Sequence, residues 1–326
     1  MQKVYCEQSL VDLLLLEEDN TIYKIIEKFY DVVTDLETEE ILELIKDNPV
    51  IKHFIKRDSG SLYGDSSAFA KINDQNYTPF LNDILILPDD IDVKSIRSEY
   101  GILALHLEDS FPDEQDFHFG YSLFADEDCP FKNWESIFST RSLLPVNSAV
   151  LIDNFLWKDF FDFSRENGEN LYPIMESIIP KELKIPFKLT IVVQNKNGRF
   201  TPRNIPEKIK KIEKNLKIRT KVDVQVGVVT QTDTKIFHER VLLTNYHYIY
   251  SDKGFSIFKN GRITEYTKGD RNWVFLNIHN YKGEIRKHQH KKNINYLKRA
   301  IKDIERSNTE IIFTAGNLDN PLLNQF

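Results

Sequence analysis

From residue 147 to residue 229 apolar runs alternate with amphipathic stretches: "NSAVLIDNFLW", "ENLYPIMESII", "FKLTIVVQ", "RNIPEKIKKIEKNLKI" and "KVDVQVGVV". The three runs rich in Val, Ile and Leu read as strands covered on both faces. The two stretches between them carry apolar residues at helical spacing, the second with a Pro near its start and lysines on its outer face. Strand, helix, strand, helix, strand is the pattern of a parallel or mixed sheet with helices on its faces, so the fold class is α/β. "IFHERVLLTNYHYIYSDKGFSIFKNG" (236–261) adds two strands and a turn centred on Gly254, and "NWVFLNIH" (272–279) adds another. A closing helix over 291–306 turns Ile294, Leu297, Ile301 and Ile304 inward and Lys298, Arg299, Lys302 and Arg306 outward.

The first 140 residues have a different texture. "KVYCEQS" reads as a short strand. Residues 21–34 place Ile22, Ile25, Ile26, Phe29, Tyr30 and Val33 on one helical stripe, and a second helix runs through Ile41, Leu42, Leu44 and Ile45. Turn residues in "RDSGSLYGDSS" predict a loop. "DILILP" (83–88) and "YGILALHLED" (100–109) predict strands, and residues 109–131 are acidic and aromatic without a period. The expectation is an acidic α+β domain over 1–142, regulatory or partner-binding, followed by a second domain over 143–326. A length of 326 residues suits two domains.

Charge separates the two halves more sharply than periodicity does. Residues 181–326 hold 29 Lys and Arg against 14 Asp and Glu; residues 1–180 hold 14 against 36. The net charge of −7 thus conceals a basic half at +15 and an acidic half at −22. A polarity of this size points to a surface for polyanions, with nucleic acid first among them. Cys6 and Cys129 are the only cysteines. That is too few for a disulfide framework or a structural zinc site, and it fits a reducing, cytoplasmic setting. No apolar run reaches the roughly 18 residues of a membrane span, and acids follow the first apolar run too closely for a signal peptide.

Within 236–261 the chemistry-bearing residues are His238, Arg240 and Asn245. Positions i and i+2 of a strand share a face, so His238 and Arg240 would project together. An imidazole can attack phosphorus or move a proton, and a guanidinium beside it can hold phosphate oxygens through paired hydrogen bonds.

The frame His238-x-Arg240-x4-Asn245 resembles the His-x-Lys-x4-Asp signature of the phospholipase D superfamily. The "HER…N…G-F…F" variant is similar to the phospholipase D-like C-terminal domain of proteins with a microtubule-interacting-and-trafficking module, a domain associated with membrane lipid. The resemblance covers about residues 145–306. It implies a phospholipase D-like fold there and a phosphodiesterase with His238 as nucleophile, Arg240 as phosphate clamp and no metal or other cofactor. Arg replaces the signature Lys and Asn its Asp. Since family hydrolases pair two motifs and this chain has one, the resemblance implies a homodimer. His290 has Lys292 at the Lys position but Leu297 at the acid position. The expected activity is that of a metal-independent nuclease. The alternatives are a degraded module that binds nucleic acid or anionic lipid, and a docking component of a multi-protein system. The Ile-, Lys- and Asn-rich composition resembles that of bacterial antiviral defence proteins.

Arg286, Lys287, Lys291 and Lys292 flank His288 and His290, and Lys208 and Lys211 belong to a second basic stripe; all six are candidate phosphate contacts. The neighbouring cations disfavour a metal at the His-x-His pair. Glu7, Asp83, Asp89, Asp90 and Asp109 stand at predicted strand ends, where carboxylates hold divalent metal in PIN-type nucleases. A lysine-bearing phosphate loop, a serine-hydrolase elbow and a paired CxxC are all missing from the sequence.

Overall fold

The structure is a computed structural model and describes residues 3–16, 31–47, 52, 62–109, 118–122, 131–139, 143–153, 156, 170–195, 198, 200–232, 240–251, 254–259, 261–263, 272–277, 284–307 and 309–324. The described residues form a mixed α/β protein with two principal sheets.

The first sheet is built from β1 (Lys3–Cys6), β2 (Asp31–Thr34), β3 (Leu62–Gly64), β4 (Ile84–Ile86) and β5 (Leu103–Leu105). Helices α1 (Gln8–Leu16), α2 (Thr38–Leu44), α3 (Ser66–Asn73) and α4 (Val93–Tyr100) each follow a strand. The strand order is β3-β2-β1-β4-β5, and every pairing is parallel. The expected α+β arrangement is therefore an alternating α/β one, because each strand hands on to a crossover helix before the next strand. Val4, Cys6, Val32, Ile84 and Ile86 face one core, and Tyr5, Val33, Phe69, Leu85 and Ile96 face the other.

The helical stripe predicted over 21–34 ends in a strand. Asp31–Thr34 lies buried between β1 and β3, where the β-branched pair Val32 and Val33 fills both faces. Residues 17–30 lie outside the described residues. The "SLYG" stretch, which turn residues predict as loop, supplies β3, a three-residue strand that periodicity cannot register. In α2 only Ile41 is buried; Leu42 is exposed.

The second sheet has the order β15-β9-β8-β7-β10-β11-β14-β6. Its strands are β6 (His118–Ser122), β7 (Ser148–Ile152), β8 (Phe187–Gln194), β9 (Val224–Gln231), β10 (Arg240–Thr244), β11 (His247–Ser251), β14 (Asn272–Asn277) and β15 (Thr314–Gly316). A short hairpin, β12 (Phe258–Lys259) with β13 (Arg262–Ile263), stands apart from it. The β7, β8 and β9 strands are parallel; the remaining pairings are antiparallel. Helices α5 (Trp134–Phe138), α6 (Leu171–Ile178) and α7 (Ile205–Thr220) cover one face, packing on Leu151, Ile191 and Leu242. Helices α8 (Glu284–Ser307) and α9 (Pro321–Asn324) cover the other, packing on Ile152, Val192, Val241 and Leu243. Both β6 and α5 precede residue 143, so this layer begins upstream of the predicted division. No helix among the described residues is long and apolar enough to cross a membrane.

Candidate functional site

The two sheets meet at the turn between β10 and β11, where the chain reads Thr244-Asn245-Tyr246-His247. All four residues are buried. Tyr246 leaves its own sheet and enters the core of the first, against residues such as Ile84 and Leu103. Its hydroxyl accepts the Leu103 N–H at 2.9 Å and donates to the Asp83 carbonyl at 2.6 Å. The Asn245 amide oxygen accepts from Asn147 N–H, Ser148 N–H and Ser148 Oγ at 3.1 to 3.2 Å. Its amide nitrogen lies within 2.5 to 3.0 Å of the Leu81 carbonyl, Asn82 Oδ1 and Asn147 Oδ1. Asn147 Nδ2 in turn donates to the carbonyls of Leu81, Tyr100 and Gly101. Gly101, at φ 61° after α4, makes this approach possible: a Cβ there would meet the Val146 carbonyl at 2.4 Å.

The histidine of the turn is matched as well, whereas the buried amide nitrogen of Asn82 has no hydrogen-bond partner among the described residues. His247 Nε2 accepts the Leu144 N–H at 3.2 Å, which leaves Nδ1 as the donor to Thr244 Oγ1 at 2.9 Å. Burial holds His247 neutral, its pKa lowered to about 4. Burial also pushes Asp83 up to about 6, against the opposing pull of the Lys3 N–H and the Lys3 charge.

Arg240 lies at the other end of β10, about 17 Å away for a five-residue strand. It is half-buried and pairs across the ladder with Ser251. On its other side Val241 pairs with Ile152, and one further step brings Arg240 opposite Asp153. Asp153 is 1% exposed. Its two oxygens accept from Leu156 N–H at 3.1 Å and Phe255 N–H at 2.6 Å, which ties the Gly254 turn to the end of β7. The carboxyl end of the parallel strands β7, β8 and β9 and the start of antiparallel β10 thus share one edge, the place where α/β sheets receive ligands. His238 lies outside the described residues.

The described basic candidates divide between the two faces of the second sheet. Lys208 and Lys211 sit half-buried on α7, and burial lowers the Lys208 pKa. Lys291 and Lys292 are exposed on α8, across the sheet from α7. Arg286 and Lys287 belong to the first turns of α8. Lys298 is lowered by burial and then by Lys302.

The strand-end carboxylates divide between the two ends of the first sheet. Asp83 precedes β4, whereas Glu7 and Asp90 follow β1 and β4. Burial, and then Asp35 and Asp90, push Glu7 above its usual range. Asp109 is bound to Arg97. Among the described residues no group of three or more His, Cys, Asp or Glu is placed to hold a metal ion.

Tyr246, whose sequence neighbourhood of aromatics suggests either base stacking or sheet packing, is fully buried, and spacing alone does not mark Asp153 and Asn147 as site or junction residues. Of these two only Asp153 carried a signal, as the polar end of a buried apolar run. No protein-family profile matches the chain, and no curated protein matches it.

Proposed function

We propose that the chain is a phospholipase D-like protein that receives a phosphate of a polyanion where β10 begins, with nucleic acid favoured over lipid. The observation that carries this reading is the position of Arg240, a guanidinium at the edge where three parallel strands end and an antiparallel one starts. The charge of +15 over residues 181–326 and the exposed lysines on α8 support a polyanionic ligand. Binding is favoured over turnover because Asn245, at the signature's acid position, is held in the junction by structural partners. The test is fluorescence anisotropy with a labelled single-stranded 20-mer, with anionic vesicles as competitor. Arg240→Gln should weaken binding about tenfold, the size of a lost charge-assisted contact. Unchanged binding would sink the reading.

The His238-x-Arg240 spacing favours a second reading, hydrolysis by a homodimer that sets two His238 side chains together. That reading expects cleavage in excess chelator and its loss in His238→Ala. Cleavage abolished by chelator but retained in His238→Ala points to the carboxylates of the first sheet instead.

A further inference from the structure

The outer face of α8 leaves Tyr296 44% exposed. Ile294, Leu297 and Ile304 turn the other way and are buried on the second sheet. Lys292 and Arg299, four residues before Tyr296 and three after it, are exposed on the same side of the helix. They stand about 10 Å apart along its axis, with the tyrosine between them. From Lys291 to Lys302 the helix carries five cations, Lys291, Lys292, Lys298, Arg299 and Lys302, and no carboxylate. Among the described residues no ion pair engages Lys291, Lys292, Arg299 or Lys302. Acids return at Asp303 and Glu305, so the cationic stretch spans about three turns.

We propose that the outer face of α8 binds a single-stranded nucleic acid, with Tyr296 stacking on an unpaired base and Lys292 and Arg299 holding the phosphates to either side of it. The inference rests on the polyanion reading above, but not on Arg240. Charge selects the class of ligand: a stretch of five cations without a carboxylate is complementary to a phosphate chain. The aromatic ring selects the strand state. An unpaired base offers a π-face to an exposed ring, whatever its identity, whereas in a duplex both faces of each base are covered by its neighbours. A lipid surface fits this face less well. A helix lying in a membrane interface turns its apolar side to the lipid, and the apolar side of α8 is already buried on the sheet.

The experiment titrates the full chain at one salt concentration against three labelled probes: an oligothymidine 20-mer, an abasic strand with the same number of phosphates, and a duplex of that length. The wild type binds oligothymidine about fivefold or more tighter than the abasic strand, the size of one base stacked on an aromatic ring. Tyr296→Ala removes that preference and leaves binding of the abasic strand and the duplex unchanged, while Tyr296→Trp, which keeps a π-face, retains it. Unfolding midpoints of both variants match the wild type, as expected for an exposed position. Equal binding of the two strands by the wild type overturns the proposal, as does a preference that Tyr296→Ala leaves in place. Duplex binding that Tyr296→Ala weakens as much as oligothymidine binding overturns it too. Binding to anionic vesicles that is lost in Tyr296→Ala, with no strand bound, assigns the face to lipid and equally overturns it. A Tyr296-dependent preference alongside an Arg240→Gln variant that binds like wild type upholds this inference and removes the role of Arg240; failure of all three probes to bind removes both.

Discussion

The hydroxyl of Tyr246 accepts the main-chain N–H of Leu103 at 2.9 Å, a bond that spans 143 residues and stands in for the next strand at that point of β5. The same oxygen donates to Asp83, so a single atom satisfies two buried main-chain groups. Tyr246→Phe keeps the ring in the core and orphans both. The expected loss is about 1–3 kcal/mol in urea unfolding, with the secondary structure unchanged by circular dichroism.

Asn245→Asp would place an acid where the phospholipase D signature has one. In this junction it would also replace a donor nitrogen facing three oxygens with a carboxylate oxygen. The substitution should destabilise the fold by about 3 kcal/mol or more, and it should not raise phosphodiesterase turnover. A thermal melt and a cleavage assay on the same preparation check both halves.

Asp83 and His247 give stability opposite pH slopes. The Asp83 pKa is raised to about 6, so its proton is held in the fold after the unfolded chain has released it at about 4. Its contribution is fully present below pH 4 and is lost as pH rises through 6. His247 is lowered to about 4, so its contribution is present above about 6.5 and is lost as pH falls towards 4. Asp83→Asn removes the first slope and leaves the second. Relative to wild type it should be neutral at pH 3.5 and more stable above pH 6 by up to about 3 kcal/mol, read from urea midpoints across that range.

If nucleic acid lies along α8, Lys291 and Lys292 are phosphate contacts. The Lys291→Gln, Lys292→Gln double variant should then reduce the slope of log K against log salt for a single-stranded probe by about 1.4. Sequence preference among probes should not change, since phosphate contacts carry no base information.

The parallel strands of the second sheet were legible because they are apolar, β-branched runs: "FKLTIVVQ" became β8 residue for residue. Those of the first sheet were less so. Three-residue strands such as Leu62–Gly64 have no room for a period, and Val33 continued the helical stripe of the residues before it. Strand β15 hid in "TAG", where Gly316 stands at φ 76° and a Cβ would strike the Val226 carbonyl. At the candidate site, the spacing in "HER" located Arg240. Asp153, 87 residues earlier, follows the end of β7 next to the start of β10, a neighbourhood made only by strand pairing. Asn245 has the opposite history. Its spacing suggested chemistry, but its hydrogen bonds reach Leu81, Asn82 and Asn147, contacts that depend on how the two sheets meet.

The Thr244–His247 turn also limits how this protein can be rearranged. A second sheet transplanted without the first would carry an uncovered tyrosine, an asparagine stripped of its acceptors and a glycine-matched groove with nothing in it. The first sheet alone would lose the phenol that closes its edge at Leu103. Gene fusions that exchange one half for a homologous half would therefore have to exchange the four-residue turn and its receptor together, so the two halves are constrained to be inherited as a pair.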